Sequence, residues 1–202
     1  MAPKTIYSRD DIIRAAFKLV RKSGFRDFSA RKVADEFNAS TAPVYSYFSS
    51  MDELKSEVLL NAEKLMLDYT MEPYTKSVFL NMGTGLVLFA QENRELFRAL
   101  LLESGETRVL LKNFLKALIS ELDRDELVSL LPPKERKEVM NRMAIFTHGF
   151  ASLICVGILD EVSRKEAIKT MYDMGRDVIE TALLKAGVRH SFTEGSGFQK
   201  SI

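Results

Sequence analysis

The chain has one cysteine, two histidines, five prolines and no tryptophan in 202 residues. A single thiol, Cys155, excludes an internal disulfide and any cysteine-cluster metal site, and it fits a reducing compartment. His148 and His190, without an HExxH motif, a phosphate loop or a nucleophile elbow, make no catalytic constellation, so neither an enzyme nor a bound metal or cofactor is expected. His148 and Cys155 are seven residues apart, two turns along one helix face. That spacing could serve a metal or thiol sensor, but the expected role is that of a neutral histidine hydrogen-bonded inside a helical core. No segment alternates apolar and polar residues as a half-buried strand does. The nearly uncharged stretch from Met143 to Leu159 spans 17 residues and contains Thr147, His148 and two glycines. A membrane span needs roughly 20 residues, so this stretch is expected to be a helix buried in protein, with no membrane partner. The N-terminus, MAPKTIYSRDD, has no apolar core of signal-peptide length, which predicts a cytoplasmic protein.

What is present is the composition of a soluble globular chain, 46% apolar and 28% charged. The net charge of +1 conceals an asymmetry. Residues 1–34 hold nine of the 29 basic residues and three of the 28 acidic ones, leaving 20 and 25 for the rest. A basic head on a mildly acidic body suits a polyanion partner, and charge spread over solvated helix faces is the alternative.

Almost every segment reads as helix. Ser8, with Asp11 three residues on, caps a first helix whose stripe of Ile12, Ile13, Ala16, Phe17 and Val20 ends at Gly24. Ser29 caps a short second helix with Val33, Ala34 and Phe37 inward, and Asn38 stands where a left-handed turn residue belongs. A third, very short helix covers Thr41 to Tyr47. Ser50, with Glu53 following, opens a long fourth helix carrying Leu54, Val58, Ala62, Leu65 and Tyr69 on one side. Pro73 ends or bends that helix. A central apolar helix through KSVFLNMGTGLVLFAQEN follows, then a short helix at RELFRALLLE and another at Val109 to Leu122. After the break at Pro132 and Pro133 come two long segments, Glu135 to Leu159 and Arg164 to Lys185, and then an aperiodic tail from Arg189. The expected organisation is a head over 1–50, a helical body over 51–188 and a tail over 189–202.

The turn FNAS joins two short helices that a longer one can brace, the layout of a helix-turn-helix reader. In that layout Ser40, Thr41 and Tyr45 can donate to phosphates or base edges, while Ala42 and Pro43 are compact enough to touch a thymine methyl. At these residues, FSARKVADEFNASTAPVYSYFSSMDELKSEVL, the sequence resembles the DNA-binding signature of the TetR family of transcriptional regulators.

The resemblance implies an all-α fold, an N-terminal helix-turn-helix three-helix domain followed by a larger helical ligand-binding and dimerisation domain. It also implies a homodimer on duplex DNA with a palindromic operator, acting as a repressor, and a small-molecule effector that releases it. Ser29 and Ala30 stand where the family starts its second helix against a phosphate, and Arg31 and Lys32 where it places base and phosphate contacts. Tyr45 matches a phosphate-binding tyrosine, Tyr47 a frequent histidine or tyrosine contact, and Val44 and Phe48 are core. Met51 departs from the family's phosphate-reaching lysine, which removes one contact. Asn38 replaces the usual turn glycine, and Pro43 disfavours a helical Ala42, which predicts a delayed helix start.

In the body, Phe79, Met82, Leu86, Phe89, Phe97, Phe114, Met143, Phe146 and Phe150 suit an apolar ligand or a plain core. The wide apolar faces of the last two helices suit burial against a second copy or closure of one chain's core. The alternative function is a helical carrier of a lipid or other hydrophobic small molecule with no DNA role.

Overall fold

The computed structural model describes residues 7–103, 119 and 122–188. Among them no strand occurs, and the predicted helix at Val109 to Leu122 and the tail from Arg189 lie almost wholly outside the described residues. The chain divides into two compact units. One comprises residues 7–65 with 93–103, the other 66–92 with 122–188.

The first unit opens with α1 (Arg9–Ser23). The Ser8 hydroxyl accepts from the Asp11 amide at 3.2 Å, and the Asp11 carboxylate takes the Ser8 amide in return at 2.9 Å, closing a capping box. Its stripe of Ile12, Ile13, Ala16, Leu19 and Val20 is buried, whereas Phe17 is only half-buried. Gly24 ends the helix at φ 68°, a left-handed value that favours glycine, and a Cβ there would stand 2.6 Å from Glu95 Oε2. Ser29 caps α2 (Ala30–Asp35). Asn38, at φ 53°, turns the chain into α3 (Ala42–Tyr47), so asparagine does adopt the left-handed turn. Pro43 does not delay α3, which starts one residue before it; the proline lies where its missing N–H has no helical acceptor to lose.

Then α4 (Met51–Met71) runs out of this unit into the other. Val33, Ala34, Val44, Phe48, Leu54 and Val58 form the first unit's core. A distant segment joins them. Helix α6 (Arg94–Phe97) packs on α1, burying Leu96 and Phe97 completely. A π-helical turn, Arg98–Leu102, continues it, closed by the Glu103 amide donating to the Arg98 carbonyl at 3.0 Å.

The second unit is built around α5 (Val78–Glu92), which packs on α7 (Pro133–Cys155) and α8 (Arg164–Lys185). Small residues set the close approaches. A Cβ on Gly85 would lie 2.1 Å from the Tyr69 carbonyl oxygen, so α4 and α5 meet backbone to backbone. Asp125, 2% exposed, accepts from Ser77 Oγ at 2.6 Å and from the amides of Phe79, Leu127 and Val128 at 3.0, 3.1 and 3.0 Å. One buried carboxylate thus caps α5 and anchors the turn that carries it. Ser163 and Glu166 make a second capping box at the start of α8. Among the described residues no helix is long and apolar enough to cross a membrane. The Met143 stretch is helical only to Cys155 and, unlike the buried helix expected, buries one side alone: Met143, Thr147, Ala151 and Ile154 are buried while Ile145, His148, Val156 and Ile158 are exposed.

Candidate nucleic-acid interface

The helices α2 and α3 are too short to be stable alone, and buried Ala30, Val33, Ala34 and Val44 hold them to the first unit's core. What remains outside is a polar and aromatic edge. Tyr45 is 58% exposed and Tyr47 43%, although burying either would be favourable, and among the described residues neither hydroxyl has a partner. Ser40 and Ala42 are exposed, Thr41 and Pro43 half-buried. The Thr41 side chain does not cap α3, which leaves its hydroxyl available, whereas Ser46 Oγ is spent on the Ala42 carbonyl at 2.8 Å. Val44 and Phe48 are buried to 0% and 1%, core residues beneath this edge.

At the start of α2, Ser29 Oγ accepts from the Lys32 amide at 3.4 Å. The Ala30 methyl is 6% exposed, so only the backbone at that position can meet a ligand. Arg31 is exposed and makes no ion pair, while Lys32 binds Asp27 at 2.9 Å and holds that carboxylate below its usual range. The two neighbouring cations are therefore not equivalent: among the described residues Lys32 has a carboxylate partner and Arg31 has none.

At the start of α4, Ser50 Oγ accepts from the Glu53 amide at 3.2 Å. The Glu53 carboxylate bonds the amide and hydroxyl of Ser49, at 2.8 and 2.9 Å, rather than the Ser50 amide. Those bonds hold Glu53 below its usual range, so it stays charged at neutral pH. A carboxylate at this helix start, with Met51 beside it, opposes a phosphate there.

Sequence reasoning missed the internal use of the head's cations. Arg9 pairs with Glu57 at 2.7 Å and Lys18 with Glu36 at 2.8 Å, and Arg14 pairs with Asp11. Tyr7 was missed as well: its hydroxyl donates to the Phe37 carbonyl at 3.1 Å, and its ring centroid is 4.7 Å from that of Phe37.

The residues predicted to line a ligand site are not one group. Phe79, Met82, Phe89 and Met143 are buried in the second unit, and Leu86, Phe146 and Phe150 are half-buried there. Phe97 is core of the first unit, and Phe114 lies outside the described residues. A shallow groove with room for about one water molecule lies elsewhere, between Glu138 and Arg142 of α7 and Val178 and Lys185 of α8. His148 is exposed rather than enclosed in the core, while Cys155 is buried, and among the described residues no three metal-binding side chains converge.

The family model of bacterial regulatory proteins of the TetR family matches residues 12–58, the span that holds this edge. No curated protein matches the chain. Among solved structures, a TetR-family transcriptional regulator from Streptomyces coelicolor aligns with 17% identity over 88% of this chain and 82% of that one, at a TM-score of 0.67. A putative TetR-family regulator from Vibrio parahaemolyticus aligns with 22% identity over 82% and 96%, at 0.56. The multidrug binding protein EbrR, complexed with imidazole, aligns with 16% identity over 94% and 99%, at 0.50. At these identities the likeness is one of fold.

Proposed function

From a TetR-family domain at residues 12–58 and a TetR-like all-helical fold, we propose that the chain is a homodimeric transcriptional repressor released from a palindromic operator by a small apolar molecule. The observation that carries the DNA role is the edge of α3. Among the described residues, two tyrosines are held open to solvent with unbonded hydroxyls, beside an unpaired Arg31 and an uncommitted Thr41, on a rigid core of Val44 and Phe48. Tyr45 and Tyr47 serve as phosphate clamps, and Ser40 to Pro43 with Arg31 read bases.

Dimerisation through α7 and α8 is supported by what those helices leave outside. Ile145 is 76% exposed, Val156 53% and Leu184 78%, and Gly149, on the same exposed side of α7 as Ile145, would place a Cβ with nothing within 4 Å. Such a face costs solvation in a monomer and suits a second copy. The effector reading rests on the buried aromatic and methionine side chains of the second unit, and on the fold shared with EbrR, a multidrug binding protein. Because α4 runs through both units, it is the element through which an effector can shift the spacing of two heads.

The test is selection of bound duplexes from a random DNA library, repeated with candidate apolar ligands. A palindrome whose recovery falls when ligand is added is expected. Recovery of no sequence, or of an asymmetric one, counts against the reading.

A further inference from the structure

The turn between α1 and α2, residues 24–28, is more ordered than a connection requires. The Phe25 and Phe28 rings meet edge to face at 5.2 Å, and the Phe28 amide donates to the Phe25 carbonyl at 3.2 Å. Lys55 of α4 lies over the Phe25 ring at 5.5 Å, and Glu95 packs against Gly24. The consequence is that Arg26 is held outward from a stapled turn. Its acidic surroundings are already committed. Asp27 is paired with Lys32 at 2.9 Å, and Glu95 with Arg98 at 2.8 Å.

The head's other cations sort by the same criterion. Among the described residues, Arg9, Arg14, Lys18 and Lys32 are in ion pairs, whereas Arg21, Lys22, Arg26 and Arg31 are exposed and in none. The free four are consecutive along the chain, from the last turn of α1 through the turn to the first turn of α2. The C-terminal dipole of α1 gives Arg21 and Lys22 a structural use, but Arg26 is in no helix, and inside the chain it acts only at a distance, as a minor charge on the Asp27 carboxylate that Lys32 already bonds. Its guanidinium hydrogens remain open to a ligand outside the chain.

We propose that Arg26 is a DNA-backbone contact outside the helix-turn-helix pair, and that Lys22 and Arg21 continue the same cationic edge along the phosphates. This rests on the DNA-binding reading above and adds to it a contact that compensates for the weak start of α4, where Met51 and Glu53 do not favour phosphate. The contact is to backbone, so it adds affinity without sequence preference.

The experiment measures binding of the full-length protein to its selected duplex between 50 and 200 mM salt, a range over which phosphate contacts are resolved. A triple variant, Arg21→Gln, Lys22→Gln and Arg26→Gln, is compared with a control that also removes three charges, Lys134→Gln, Lys137→Gln and Lys165→Gln on the second unit. The slope of log affinity against log salt is expected to become shallower by roughly 0.9 per lost contact, with affinity at least about tenfold weaker at low salt. The control should change neither quantity. Arg26→Lys should retain the slope that Arg26→Gln loses, and the selected sequence should be unchanged throughout. A triple variant with the wild-type slope, a control with an equal loss, or an altered sequence preference overturns the proposal. A wild-type protein that binds no duplex removes the DNA reading itself, and this contact with it.

Discussion

The guanidinium of Arg9 lies 4.9 Å from the centroid of the Phe48 ring and bonds Glu57 at 2.7 Å, so one cation at the start of α1 ties down the residue that ends α3 and the helix that follows. The bond to Glu57 raises the guanidinium pKa above its ordinary value, and the charge is used inside the head. Arg9→Ala should therefore lower the thermal midpoint of the protein while leaving the salt slope of DNA binding at its wild-type value. A shallower slope in that variant would place Arg9 on DNA instead.

Asp125 satisfies three amides and a hydroxyl from a site that water does not reach. Asp125→Ala strands those donors and should cost about 3 kcal/mol of unfolding free energy, read by urea titration. Asp125→Asn keeps an acceptor and should cost less. Equal losses in the two variants would show that the carboxylate's hydrogen bonds are not what holds this turn.

Gly85 lets the α4 backbone reach α5, and a methyl group has no room there. Gly85→Ala should destabilise the chain by about 1–3 kcal/mol through overpacking, although alanine is the better helix former. Gly149→Ala should do the opposite in an isolated subunit, gaining up to about 1 kcal/mol, because its Cβ position is open. If a second copy packs on α7, Gly149→Arg converts dimer to monomer in light scattering without loss of helical circular dichroism.

Acid stability should follow the caps. Asp11, Glu53 and Glu166 are held below their ordinary values by hydrogen bonds from Ser8, Ser49 and Ser163. A carboxylate with a depressed folded pKa stabilises fully above its unfolded value, near 4, and that contribution is lost as pH falls through the folded value. Glu63 is the reverse case: burial raises its pKa, so its charge opposes folding above the unfolded value and not below it. The thermal midpoint should drop below about pH 4, and Glu63→Gln should raise it at pH 7 but not at pH 3.5. An equal shift from Glu63→Gln at both pH values would exclude the burial argument.

The parts of the fold written locally were legible in the sequence. Ser8 with Asp11, Ser29 and Asn38 each act within a few residues, and the structure uses each as its spacing suggested, with Arg164–Lys185 recovered as one helix. The burial of Val44 and Phe48 beneath α3 was legible through the resemblance to the TetR signature, which implied that both are core. What stayed hidden depends on residues far apart in the chain. Nothing in RELFRALLLE says that Leu96 and Phe97 pack with α1, so Phe97 read as body rather than head. Nothing near Arg31 and Lys32 says which one Asp27 will take. His148 read as core because its neighbours are apolar, but those neighbours include the exposed Ile145.

The π-helical turn at Arg98–Leu102 holds one residue more than an α-helix of the same rise. Because an α-helix advances about 100° per residue, that extra residue re-aims the chain leaving Leu102 by roughly the same angle, so the direction in which the segment departs from α1 is set by the turn rather than by the four residues of α6.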